Sequence, residues 1–121
     1  MATRMAWRAR CFGALLAVLV TAPVAFANPA AADDVAYLVN VAVRPGYGFR
    51  DAADALTYGH GICEEIAEGR PYAQLIADVK AQRSTSDDYQ GAYLVNQAAN
   101  ELCPALIWQL RQSAAHYRPT P

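Results

Sequence analysis

DAADALTYGHGICEEIAEG, residues Asp51–Gly69, is the stretch that decides the fold. Ala52, Ala55, Leu56, Gly59, Ile62, Cys63 and Ile66 recur at three- and four-residue steps, the spacing that gathers side chains on one face of a helix. Asp54, Glu64, Glu65 and Glu68 fall largely outside that face. A helix from Asp51 to Glu68 follows, and Gly69 closes it because glycine enters the left-handed region at little cost. Gly59 and Gly61 each cost about 1 kcal/mol relative to alanine inside a helix. Their presence points to a kink or to close approach by another helix.

Upstream, Arg44-Pro45-Gly46-Tyr47-Gly48 reads as a turn, since proline ends a helix and glycine permits positive φ. Before it, Val35, Leu38, Val39 and Ala42 stand at i, i+3, i+4 and i+7, with Asp33 and Asp34 at the start where negative charge suits the helix dipole. Val35, Tyr37, Val39, Val41 and Val43 also alternate as a strand would. No other segment offers a partner strand, and a lone strand leaves its backbone groups unpaired. A helix starting at Asp33 is the better reading, with 28–32 as a mobile lead-in.

Downstream, Pro71 suits the first turn of a third helix with a stripe of Tyr72, Leu75, Ile76 and Val79. Gln82 to Ser86 is a polar loop, and Thr85 with Asp88 resembles a capping box for a fourth helix over 87–102. That helix buries Val95, Ala98, Ala99 and Leu102, with Leu94 at its edge. Pro104 ends or bends it, and Leu106, Ile107, Leu110, Ala114 and Tyr117 continue an apolar stripe into a last helix. The sum is an all-α bundle of four to five short helices over 33–117, with a frayed tail at 118–121.

The N-terminus tells where such a domain works. Arg4, Arg8 and Arg10 precede an uncharged run from Cys11 to Ala22, Pro23 breaks it, and Ala25-Phe26-Ala27 closes it with a small-x-small pattern. This is the grammar of a secretory signal peptide cleaved between Ala27 and Asn28, over 1–27. The run is shorter than the roughly 20 apolar residues a membrane span needs. Cleavage removes 27 of 121 residues and leaves 94, enough for one domain. The segment carries three of the ten Lys+Arg and none of the eleven Asp+Glu, so the mature net charge is −4. That sign argues against nucleic acid, whose binding rests on Lys and Arg at phosphates, and against anionic headgroups. Cys11 leaves with the segment, and Cys63 and Cys103 remain. Two cysteines in a small exported chain most often pair. A reactive thiol, or a zinc pair completed by His60 and His116, is the rival reading.

Tyr37-Leu38, then Gly59-His60-Gly61-Ile62-Cys63 followed by Gly69, then Tyr93-Leu94-Val95 leading through Ala99 to Leu102-Cys103-Pro104, together resemble the domain of unknown function 732 family of small secreted proteins, found mainly in mycobacteria and their relatives. The resemblance covers about 33–103. It implies an all-helical fold, an exported location, and a bridge between Cys63 and Cys103. It brings no catalytic residues. The chain departs from the pattern by continuing some eighteen residues beyond Cys103.

Candidate chemistry is sparse. His60, between two glycines, has the exposure of a general base, but it reads more simply as a polar residue on an outer face. A His60-Glu64-Glu68 ridge shares one face at four-residue steps, a geometry for a weak metal site or for a solvated surface. His116 lies where it favours a helix dipole. Ser84, Ser86 and Ser113 lie in no Gly-x-Ser-x-Gly elbow. No catalytic residue, metal or cofactor is expected. The chain carries seven tyrosines, and Tyr47, Tyr58, Tyr89 and Tyr93 fall where a core assignment does not require them. Tyrosine is enriched at interfaces, so these four form the candidate binding surface. The expected function is a non-enzymatic exported module that binds a protein or cell-envelope partner. The alternative is a small apolar-ligand (lipid) carrier between helices. A small hydrolase or metal enzyme using His60 and Glu64 comes third.

Overall fold

The computed structural model describes residues 29–119. Among them are five α-helices and no strand: α1 (Pro29–Ala42), α2 (Ala52–Ala67), α3 (Tyr72–Gln82), α4 (Asp88–Gln97) and α5 (Ile107–Ala114). α4 runs on through a π-helical turn, Ala98–Leu102, and a 3-10 turn, Pro104–Leu106, leads into α5. The all-α class follows the periodicity, and 35–43 is helix up to Ala42 rather than strand. The signal-peptide segment 1–27, its cleavage point and residues 120–121 lie outside the described residues.

α2 matches its reading closely. Asp51 is the N-cap, its carboxylate accepting from the Asp54 N–H at 2.8 Å, and Gly69 follows the C-cap Glu68 at φ +90°. Ala55, Gly59, Ile62, Cys63 and Ile66 are buried. A Cβ at Gly59 would meet Leu102 Cδ1 at 2.6 Å and the Tyr37 ring at 2.7 Å, whereas Gly61 faces open space. Close approach explains Gly59.

α1 departs from its reading in two ways. It begins at Pro29, so 29–32, expected as a mobile lead-in, is helical, and the aspartates lie past the first turn. Its buried face is also different. Tyr37, with no exposed surface, and Val41 enter the core one turn apart, while Val35 and Val39 stand 59% and 55% exposed and Ala42 is exposed. Of the stripe Val35, Leu38, Val39 and Ala42, only Leu38 packs against the core, and the other three lie on the outer side. Tyr37 enters the core where Gly59 leaves room for its ring.

α3 buries Tyr72, Leu75, Ile76 and Val79 as expected. In α4, Leu94 is fully buried beside Val95 rather than at an edge. The cap is Asp87, whose carboxylate accepts from the Tyr89 N–H at 2.9 Å, and not the Thr85/Asp88 pair; the Thr85 hydroxyl accepts from the Asp87 N–H instead. The π turn packs on both α1 and α2 through the small Ala98 and Ala99. At Cys103 the chain leaves helical backbone (φ −142°, ψ 59°), as a residue before proline tends to. There Cys103 is joined to Cys63 with Cα atoms 6.0 Å apart. This settles the open cysteine question in favour of the bridge.

α5 completes the helix ends that local sequence leaves open. Pro71 provides no side-chain cap for α3, and the Ser113 hydroxyl accepts from the Tyr72 N–H at 3.1 Å. Gln109 Nε2 donates to the Ile66 carbonyl near the end of α2. Leu110 fills the core between these two anchors.

Candidate functional site

The turn between α1 and α2 is short of local hydrogen bonds and is held from a distance. Gly46 and Gly48 adopt φ of +114° and +68°, a region that disfavours any residue with a Cβ. Between them Tyr47 turns inward and is 4% exposed. Gln90 of α4 clamps the turn at three points. Its Oε1 accepts from Arg44 Nε at 2.6 Å, its Nε2 donates to the Pro45 carbonyl at 3.0 Å, and its own carbonyl accepts from the Tyr47 hydroxyl at 2.7 Å.

Held in this way, the turn stands off the helices and leaves a cleft of about 370 Å³. Leu38, Val41 and Ala42 of α1, Phe49 of the turn, and Ala52 and Ala55 of α2 form its apolar walls. Arg44 and Asp51 supply the ionised groups. Asp51 is engaged as the cap of α2. The Arg44 guanidinium lies 4.9 Å from the Tyr93 ring centre, and among the described residues it faces no carboxylate. Arg50, Arg70 and Lys80 differ in this respect, being paired with Asp54, Asp78 and Asp88.

Behind the turn lies an aromatic cluster. Arg83 sits 4.5 Å from the Phe49 ring centre and 4.3 Å from that of Tyr58, and donates to the Tyr47 carbonyl at 3.4 Å. The rings of Tyr47 and Phe49 are 5.9 Å apart and those of Phe49 and Tyr58 5.6 Å. Desolvation pushes the Tyr47 hydroxyl up to about 12, with the Arg44 charge acting the other way. Burial raises Tyr37 further still, and its hydroxyl has no hydrogen-bond partner among the described residues. Burial also raises Tyr58, against the influence of Arg83.

The four tyrosines expected at a binding surface are placed differently from one another. Tyr47 is core. Tyr58 is half-buried and donates to Gln82 Oε1 at 2.6 Å; Tyr93 is half-buried and donates to the Asn40 carbonyl at 2.8 Å, closing the last turn of α1. Only Tyr89, 70% exposed, faces solvent. Each hydroxyl of the other three finds an internal acceptor on an element distant in sequence. His60 is exposed and lies 3.4 Å from Asp34 of α1, a bridge that is ionic only when the imidazole is protonated. No cluster of three His, Cys, Asp or Glu among the described residues is placed to hold a metal ion. Gln90, Gln109 and Ser113 carry the architecture around the cleft and the helix ends, and no local pattern marks them.

A family model described as a protein of unknown function (DUF732) matches residues 19–105. The chain belongs to this family, the domain of unknown function 732. No curated protein and no solved structure matches it. In this DUF732 chain the matched span takes in α1 to α4, the cleft, Gln90 and both bridged cysteines. α5 and its capping residues Gln109 and Ser113 stand beyond it.

Proposed function

We propose that this chain is an exported, non-enzymatic helical module that binds a protein partner of the cell envelope or the surrounding medium. The reading is carried by the outer face of α1 and its continuation, where Val35 and Val39, and Val43 just past the helix end, are 59%, 55% and 71% exposed at four-residue steps. An apolar ridge of that spacing fits the groove of a partner helix. A helix that is apolar on two sides normally has both sides covered. Export is supported by the arginine-apolar-Ala25-Phe26-Ala27 pattern and by a cysteine bridge, a bond of oxidising compartments. Pull-down from envelope and culture-filtrate fractions tests the reading. A protein retained by the wild type and lost with Val39→Asp, at unchanged helical circular dichroism, is expected. No retained protein, or one indifferent to Val39→Asp, overturns it.

A second reading, an apolar-ligand carrier, is favoured by the cleft at the α1–α2 turn. Its volume of about 370 Å³ and its mainly apolar walls with two ionised groups match the make-up of small-molecule sites.

A further inference from the structure

We propose that the cleft at the α1–α2 turn binds a free, single-chain aliphatic acid, its chain against Leu38, Val41, Phe49 and Ala55 and its carboxylate on the Arg44 guanidinium. This rests on the carrier reading and names its ligand.

With 1–27 removed the chain has four more carboxylates than cations. Arg44, like Arg83, Arg111 and Arg118, is paired with no carboxylate among the described residues, and of these four it alone lines the apolar cleft. It is also pre-organised. Nε is held by Gln90 at 2.6 Å and the guanidinium plane is steadied by the Tyr93 ring. The two terminal nitrogens keep their donors, and no hydrogen bond from them to another described residue is present. A guanidinium fork with both terminal nitrogens available matches a carboxylate bidentately.

At about 30 Å³ per small group, the share of one water in the liquid, the cleft holds on the order of a dozen non-hydrogen atoms. That is a chain of about ten carbons with its carboxylate. The walls offer a narrow run of alkyl and ring surface and, apart from Arg44 and Asp51, no side chain with a polar function other than the Tyr47 hydroxyl, which is already bonded to Gln90. Asp51, committed to capping α2, lies at the α2 side, so an acid is oriented head to Arg44 and a cationic head is the discriminating competitor.

Calorimetric titration of the purified, disulfide-bonded chain with decanoate, decanol and decyltrimethylammonium tests this. Decanoate is expected to bind at least about tenfold more tightly than either other probe, and Arg44→Gln to abolish that preference. Ala52→Leu, at an exposed position that lines the cleft, is expected to remove decanoate binding with Arg44 still in place. Equal binding of decanoate and decanol, tighter binding of the cation, or insensitivity to Arg44→Gln overturns the acid ligand and leaves a carrier of other apolar molecules standing. Binding unaffected by Ala52→Leu overturns the site. No binding by any probe overturns the carrier reading as well.

Discussion

Gly59 and Gly61 flank the same histidine on the same helix and meet opposite surroundings. At Gly59 an added methyl would collide with Tyr37, which is fully buried and has nowhere to go, and with Leu102. At Gly61 nothing lies within 4 Å. Alanine at either position gains about 1 kcal/mol of helix propensity. At 59 overpacking costs more, about 1–3 kcal/mol. Gly59→Ala is therefore expected to lower the melting temperature and Gly61→Ala to raise it, a contrast thermal unfolding followed by circular dichroism reads directly. Equal shifts of one sign would show that helix propensity alone governs both sites. The pair is legible in the sequence as two costly glycines. Which of them is a contact is not, because the answer lies in Tyr37, 22 positions away in the chain.

Among the elements, the bridge between α2 and the end of the π turn carries most. It spans 40 residues, and the chain-entropy account assigns a loop of that length about 4 kcal/mol. A small domain has about 5–15 kcal/mol in all. Reduction, or Cys63→Ala with Cys103→Ala, is expected to shift the urea midpoint down by an amount worth about 4 kcal/mol, and an unmoved midpoint would place the stability elsewhere. Helix number and ends are readable at Pro45, Gly69, Pro71 and Pro104, because proline and glycine act through their own backbone angles. The stripes of α2 and α3 are readable because one face is apolar and the other is not. α1 is apolar on two sides, so periodicity alone could not say which side turns in. The cleft escapes local reading for a related reason. Its turn is shaped by Gly46 and Gly48, which are visible, but held by Gln90, more than forty residues away, which is not.

For the molecule as a whole, the interior is apolar except for tyrosine hydroxyls, and that sets its response to alkali. No charged side chain is among the buried residues described, while Tyr37 and Tyr47 are held neutral by desolvation. In the unfolded chain a tyrosine ionises near pH 10. In the fold Tyr47 waits until about 12, and Tyr37 is raised further. A folded value above the unfolded one means that the native state keeps protons the unfolded state has released. Stability is therefore complete below pH 10 and declines as the pH rises above it, by about 1.4 kcal/mol per pH unit for each such group. The net negative charge adds repulsion of the same sign. The chain is expected to unfold cooperatively between pH 10 and about 12, with the tyrosinate absorbance of Tyr37 and Tyr47 rising together with the loss of helical circular dichroism. Tyr47→Phe and Tyr37→Phe are each expected to flatten the alkaline decline. Of the two, Tyr47→Phe has the lower stability at neutral pH, because its hydroxyl bonds the Gln90 carbonyl and that of Tyr37 bonds nothing. Ionisation of Tyr37 and Tyr47 in a chain that keeps its full helical signal would contradict this account of the interior.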